Sequence, residues 1–295
     1  MKRHRRLLLV AGVSALAIVG LAVALAFVVR GDDDGLPRYP GRVAVRAGCG
    51  LHHTFFDGKD PQELCLPNLW AAANVSKNGK RIAWDTSNGL YIANEDGFAP
   101  TPIPAPRGAN FDPSLSPDAS KVAFLHSPLD DGRYDVWIGS TSADNSEQVT
   151  NTRNVSTVVW APKGDRIALV RGLSDATGDG EIVLMRTDGT GERVLARGDS
   201  PSWSPDASQL TYSHGGGIWT IRADGSDARR IFRDGYSPAW SRDGKMIAFA
   251  REVPCKKPVL CDRVFVGAST GGDARAIGQS YEEDVSPIWL PDPFE

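Results

Sequence analysis

Apolar and polar positions alternate along most of this chain in short runs, broken at close intervals by Gly, Asp, Asn and Pro. That texture predicts many short β-strands joined by tight turns. One apolar triplet with a small centre recurs: Ile82-Ala83-Trp84, Val122-Ala123-Phe124, Ile167-Ala168-Leu169, Leu210-Thr211-Tyr212 and Ile247-Ala248-Phe249. Bulk on one face and a small residue on the other suit a strand held between two neighbouring sheets. A further apolar strand follows each triplet: Leu90-Tyr91-Ile92, Val136-Trp137-Ile138, Ile182-Val183-Leu184, Ile218-Trp219-Thr220 and Val264-Phe265-Val266. Asp96-Gly97, Asp188-Gly189 and Asp224-Gly225 mark the hairpin turns after it. Short fourth strands lead out, as at Arg193-Val194-Leu195 and Arg230-Ile231-Phe232.

Ahead of the triplets stands a repeated phrase. Its full copies are Trp160-Ala161-Pro162-Lys163, Trp203-Ser204-Pro205-Asp206, Trp240-Ser241-Arg242-Asp243 and Trp289-Leu290-Pro291-Asp292. Degenerate copies are Val75-Ser76-Lys77-Asn78 and Leu115-Ser116-Pro117-Asp118. The steps between equivalent positions are 40, 45, 43, 37 and 49 residues. Such a period belongs to β-propellers and related arrays. Asp118, Asp206 and Asp243 are expected to cap the turn after the first strand of each repeat. Trp160, Trp203, Trp240 and Trp289 are expected in the core between repeats.

The ends of the array complement one another. The copy at Trp289 is a first strand with no second strand after it. Near the other end, Val43-Ala44-Val45, Leu51-His52-His53-Thr54-Phe55 and Glu63-Leu64-Cys65 read as second, third and fourth strands. The expected fold is therefore all-β: a six-bladed propeller of five full blades and one composite 1+3 blade. Closing the ring removes free sheet edges.

The first thirty residues break the pattern. Residues 1–6 are basic, and residues 7–29 hold no charge. A helix over 7–29 spans roughly 34 Å, enough for a bilayer. We read it as a transmembrane signal anchor. Ala24-Leu25-Ala26 offers the alternative of a cleaved signal peptide and a secreted domain. The positive-inside rule keeps residues 1–6 cytoplasmic. Residues 30–39 form a polar tether, and residues 40–295 form the extracytoplasmic propeller. The whole chain carries −3; without the five basic residues of positions 1–30, the remainder carries −8. Acidity of that size excludes nonspecific nucleic-acid binding, and the lipid bilayer is met through the N-terminal helix alone.

The phrase, the triplet and the Asp-Gly turn together resemble the WD40-like (PD40) repeats of the TolB family. The match is fullest over residues 201–226 and 238–249, and the resemblance covers residues 40–295. It implies a propeller that works through contact with other proteins in the cell envelope. In TolB proper an α/β domain precedes the propeller, whereas here only residues 30–39 separate the span from the first strand.

Candidate chemistry is sparse. Four cysteines, Cys49, Cys65, Cys255 and Cys261, fall on the exported side, where disulfides persist. Of three possible pairings we favour Cys49–Cys65 and Cys255–Cys261. A metal site is the alternative, although C-x15-C and C-x5-C are not the usual zinc spacings. No H-E-x-x-H helix, P-loop or dinucleotide fingerprint occurs. The run Asp175–Glu181 resembles a calcium loop, but Arg186 stands where the bidentate Glu belongs. His52, His53, His126 and His214 are expected to be structural. No catalytic residue, metal ligand or cofactor is assigned.

The expected function is a non-enzymatic binding scaffold for an envelope protein or cell-wall polymer. One alternative is a calcium-dependent lactonase-type hydrolase, with Asn74, Asp112 and Asp284 reaching the central mouth. The other is a sensor for a small ligand.

Overall fold

The computed structural model describes residues 42–47, 50–55, 62–64, 73–94, 99–172, 179–254, 260–281 and 286–290. All of them lie within one unit, Tyr39–Glu295. The expected span over 7–29, the tether, Cys49, Cys65, Cys255, Asp284 and the Asp96-Gly97 turn lie outside the described residues. Among the described residues there are 23 strands and no helix, hence no helix long and apolar enough to cross a membrane.

The strands form antiparallel sheets in a propeller-like arrangement. Strands β1 (Arg42–Ala47), β2 (Gly50–Phe55) and β3 (Gln62–Leu64) pair in sequence. The next sheet holds β4 (Ala73–Val75), β5 (Arg81–Thr86), β6 (Gly89–Asn94) and β7 (Thr101–Pro102). Strands β8 (Ala109–Leu115), β9 (Lys121–Ser127), β10 (Asp135–Ser140) and β11 (Glu147–Gln148) make another. A seven-stranded sheet follows. It contains β12 (Val155–Trp160), β13 (Arg166–Arg171), β14 (Gly180–Arg186), β15 (Arg193–Trp203), β16 (Gln209–His214), β17 (Gly217–Arg222) and β18 (Arg229–Phe232). Strands β19 (Tyr236–Trp240), β20 (Met246–Pro254), β21 (Leu260–Ala268) and β22 (Ala274–Tyr281) form the next. Finally β23 (Ile288–Leu290) pairs with β1, with Val43 opposite Trp289.

One element differs from expectation. Arg193-Val194-Leu195 reads in sequence as a short outer strand, yet β15 runs unbroken for 11 residues from Arg193 to the Trp203 phrase. Its first half pairs with β14 and its second half with β16. Gly198, Ser200 and Pro201 stand where the halves meet, but a bulge takes them up inside the strand, so one strand serves as the last of one four-strand group and the first of the next.

The recurrent triplets carry the core. Ile82, Ala83, Trp84, Val122, Ala123, Phe124, Ile167, Ala168 and Leu169 are fully buried. Bulk and small residue face opposite neighbours. Val122 and Phe124 pack with Ala83, Leu90 and Ile92 of the preceding sheet. Ala123 packs with Trp160, Ile167 and Leu169 of the following one. Ala168 in turn receives Trp203, Leu210 and Tyr212, and Ala248 receives Trp289. An alanine at the triplet's centre leaves room for the next sheet's large side chains, so neighbouring sheets interlock at interior density.

Candidate functional site

The strands that carry the phrase bond to one another in order, β4 to β8, β12, β15, β19 and β23, so they line a common axis. The residue just before the phrase makes the link. Asn74 Oδ1 accepts from Leu115 N at 2.9 Å. Ser114 Oγ accepts from Trp160 N at 2.9 Å, and Ser202 Oγ from Trp240 N at 3.3 Å. Where that residue has no polar side chain, its carbonyl is used instead. Trp203 Nε1 donates to Val159 O at 3.4 Å and Trp289 Nε1 to Ala239 O at 3.0 Å.

Two residues further back lies a second equivalent set: Asp112, Thr157, Ser200, Ser237 and Ser286. Bulges in β8, β15 and β19 place Asp112, Ser200 and Ser237 at φ of 51°, 51° and 48°. Thr157 Oγ1 and Val158 N donate to Asp112 Oδ2 at 2.6 and 3.0 Å. Ser286 Oγ lies 3.4 Å from Ser237 Oγ. These equivalent positions thus bring hydroxyls and one carboxylate to the same end of the linking strands. Burial pushes the Asp112 carboxyl up to about 6; its two hydrogen bonds oppose this, and the charges of Asp85 and Asp199 add to it. Burial, then Asp179, raises Asp199 as well. Asn74 and Asp112, expected at the mouth, are both on these linking strands. Asp85, Thr157, Ser200 and Asp199 escaped notice in the sequence, although aligning the phrases and counting back three positions finds Thr157 and Ser200.

The opposite end of the axis holds the turns. Ser116, Ser204 and Ser241 Oγ donate to Asp118, Asp206 and Asp243 Oδ1 at 2.7, 2.6 and 2.7 Å. The same oxygens accept the backbone N–H of Ser120, Ser208 and Lys245. The three aspartates are turn caps, as expected. The Ser116 hydroxyl and Ser120 N–H hold Asp118 near 2, and the Ser204 hydroxyl and Ser208 N–H do the same for Asp206. Turns of three sheets meet here: Lys77 Nζ donates to Pro162 O at 3.1 Å, and Arg242 Nη2 to Lys77 O at 2.8 Å. Such contacts bridge this end across its middle.

The phrase tryptophans divide. Trp160, Trp203 and Trp289 are 8%, 7% and 7% exposed and lie in the core. Trp240 is only partly buried and packs against Phe249 and Ile218. Its indole N–H, unlike the other three, meets no acceptor.

His126 is 3% exposed, its Nδ1 2.9 Å from Asn110 Oδ1, and burial lowers its pKa. His214, at the equivalent place in β16, is more exposed and pairs with buried Asp179 at 2.8 Å. That pair joins residues 35 apart and left no local signal in the sequence. Cys261 is buried in β21 and is not a free thiol. Among the described residues no three His, Cys, Asp or Glu are grouped to hold a metal.

Solved structures share this architecture. TolB from Acinetobacter baumannii is 17% identical, with a TM-score of 0.68, covering 88% of this chain and 69% of that one. A putative TolB from Agrobacterium tumefaciens is 20% identical, with a TM-score of 0.63, covering 85% and 99%. An oligogalacturonate lyase in complex with manganese is 13% identical, with a TM-score of 0.54, covering 70% and 64%. At these identities the likeness is one of fold. No curated protein matches the sequence. The model of the TolB β-propeller domain, PD40, matches residues 70–294, three quarters of the chain, and the chain belongs to that family.

Proposed function

We propose that the chain is a membrane-anchored, extracytoplasmic propeller that binds an envelope protein at the mouth lined by Asp112, Thr157, Ser200 and Ser237. The carrying observation is that mouth: equivalent positions on successive strands present hydroxyls around a single raised carboxylate. Rigid strands fix these groups while the loops around them vary, which suits recognition. Six blades fit the strand pairing, with β15 shared and β23 completing β1–β3. Residues 7–29 supply the anchor. Cys49–Cys65 and Cys255–Cys261 staple the seam and the β20–β21 loop, and intact mass with and without reductant tests both bonds.

A photo-crosslinker at Ser237 of the full chain, in its own membrane, tests the scaffold reading. One envelope protein captured from Ser237 and not from exposed Lys80 at the turn end supports it. Capture of polysaccharide instead favours the polymer partner, and no site-dependent capture overturns the proposal.

A second reading, a calcium-dependent hydrolase, draws on the influence of Asp85 and Asp199 on Asp112. Stoichiometric calcium in the purified protein, and a lower melting midpoint in EDTA, would favour it.

A further inference from the structure

We propose that the seam between β15–β18 and β19–β22 holds a binding site for a neutral sugar ring at the turn end of the propeller. This site is separate from the mouth and does not rest on the scaffold reading. A cavity of about 310 Å³ opens there, lined among others by Asp206, Gln209, Arg229, Trp240, Asp243 and Ser269. That volume sits at the low end of the roughly 300–1,000 Å³ typical of small-molecule sites, room for one ring and not for a long polymer.

The lining sets the ligand chemistry. Asp206 and Asp243 are fixed by their own turns, each carboxylate accepting a serine hydroxyl and a backbone N–H. Their positions are set before any ligand arrives. Arg229 is steadied by Nη1 donating to Thr270 O at 3.3 Å, and with Gln209 it supplies donors. Asp243 also lies 3.8 Å from Lys245 Nζ, so two carboxylates face two cations and no net charge is left to recruit an ion. No group of three metal-binding side chains occurs among the described residues, so a bare cation lacks a cage. Donors and acceptors interleaved beside an indole match a polyhydroxylated ring, whose hydroxyls do both and whose C–H face is apolar.

Trp240 supports the choice. The other three phrase indoles are buried and donate to backbone carbonyls. Trp240 alone is part-exposed, unpinned by an indole hydrogen bond, and in the cavity wall.

Titration calorimetry of the full chain against glucose, galactose, mannose, N-acetylglucosamine and their dimers tests the site, with glucuronate as the charged comparison. We expect a Kd of ~0.1–1 mM for at least one neutral sugar. Gln209→Ala and Trp240→Phe should each weaken it about five-fold or more. Gln209→Ala alters a surface amide, so folding is retained even if Trp240→Phe unfolds the seam. No binding at about 10 mM of any neutral sugar, binding unchanged in Gln209→Ala, or tighter binding of glucuronate each overturns the proposal.

Discussion

Aspartates of this chain are held in opposite senses, and the difference is local. Asp118 and Asp206 accept two or more donors within their own turns and sit near 2. Their contribution to stability is present above the ordinary value of 3.8 and is lost as pH falls towards 2. Asp206→Asn should therefore flatten the acid limb of unfolding between about pH 4 and 2, and lower stability by ~1 kcal/mol at neutral pH. Asp112 runs the other way. Its folded pKa near 6 lies above the unfolded value, so the ionised form strains the fold. Stability from this group is full below about pH 4 and is lost as pH rises through 6. Asp112→Asn keeps an acceptor for Thr157 and Val158. It should raise the melting midpoint at pH 7.5, by up to about 3 kcal/mol in free energy, and should not do so at pH 4. A midpoint unchanged at both pH values would contradict the assignment. The caps were legible in the sequence because Ser-x-Asp acts within one turn. The Asp112 bridge was not, because its partners lie 45 and 46 residues away.

At the level of elements, each sheet is attached to its neighbour by two devices, core interlock and first-strand hydrogen bonds. Ser114 is 3% exposed, and Trp160 N has it as acceptor at 2.9 Å. Ser114→Ala strands a buried N–H and should cost about 1–3 kcal/mol in denaturant melts. Ser202→Ala removes a longer, less buried bond to Trp240 N and should cost less; the reverse ranking would refute the stitching role. Glycine has its own place where the chain enters a first strand. Gly235 sits at φ +125°, and a Cβ there would lie 2.5 Å from the Phe249 ring and 2.9 Å from Ala250 O. Gly235→Ala adds backbone strain to that clash and should lose about 2–4 kcal/mol. The triplets, phrases and strand order were legible because they repeat. The continuity of β15 was not, because Gly198, Ser200 and Pro201 carry turn chemistry that the bulge absorbs inside a strand.

For the propeller as a whole, the ring depends on contacts between positions far apart in sequence. Lys77 meets Pro162 and Arg242 across the turn end. No local pattern foretells such a bridge, whereas the complementary end strands did foretell the pairing of β23 with β1. Among the described residues that pairing carries the largest sequence separation of any strand pair, with Arg42 facing Leu290 and Val43 facing Trp289. Trp289 is 7% exposed, packs with Ala248, Val264 and Val266, and its indole N–H reaches Ala239 O. Deleting residues 288–295 removes this side chain and the strand that covers β1, leaving two exposed edges and an unfilled pocket against β20. Loss of one buried tryptophan alone costs about 3–5 kcal/mol, comparable with the whole stability of many domains, roughly 5–15 kcal/mol. The deletion variant should therefore lose its sharp unfolding transition and aggregate through the freed edges. Trp289→Phe, which keeps the strand and most of the packing, should still unfold cooperatively at a lower midpoint. If the deletion melts as sharply as the full chain, with its midpoint unchanged, the ring is not held by this seam.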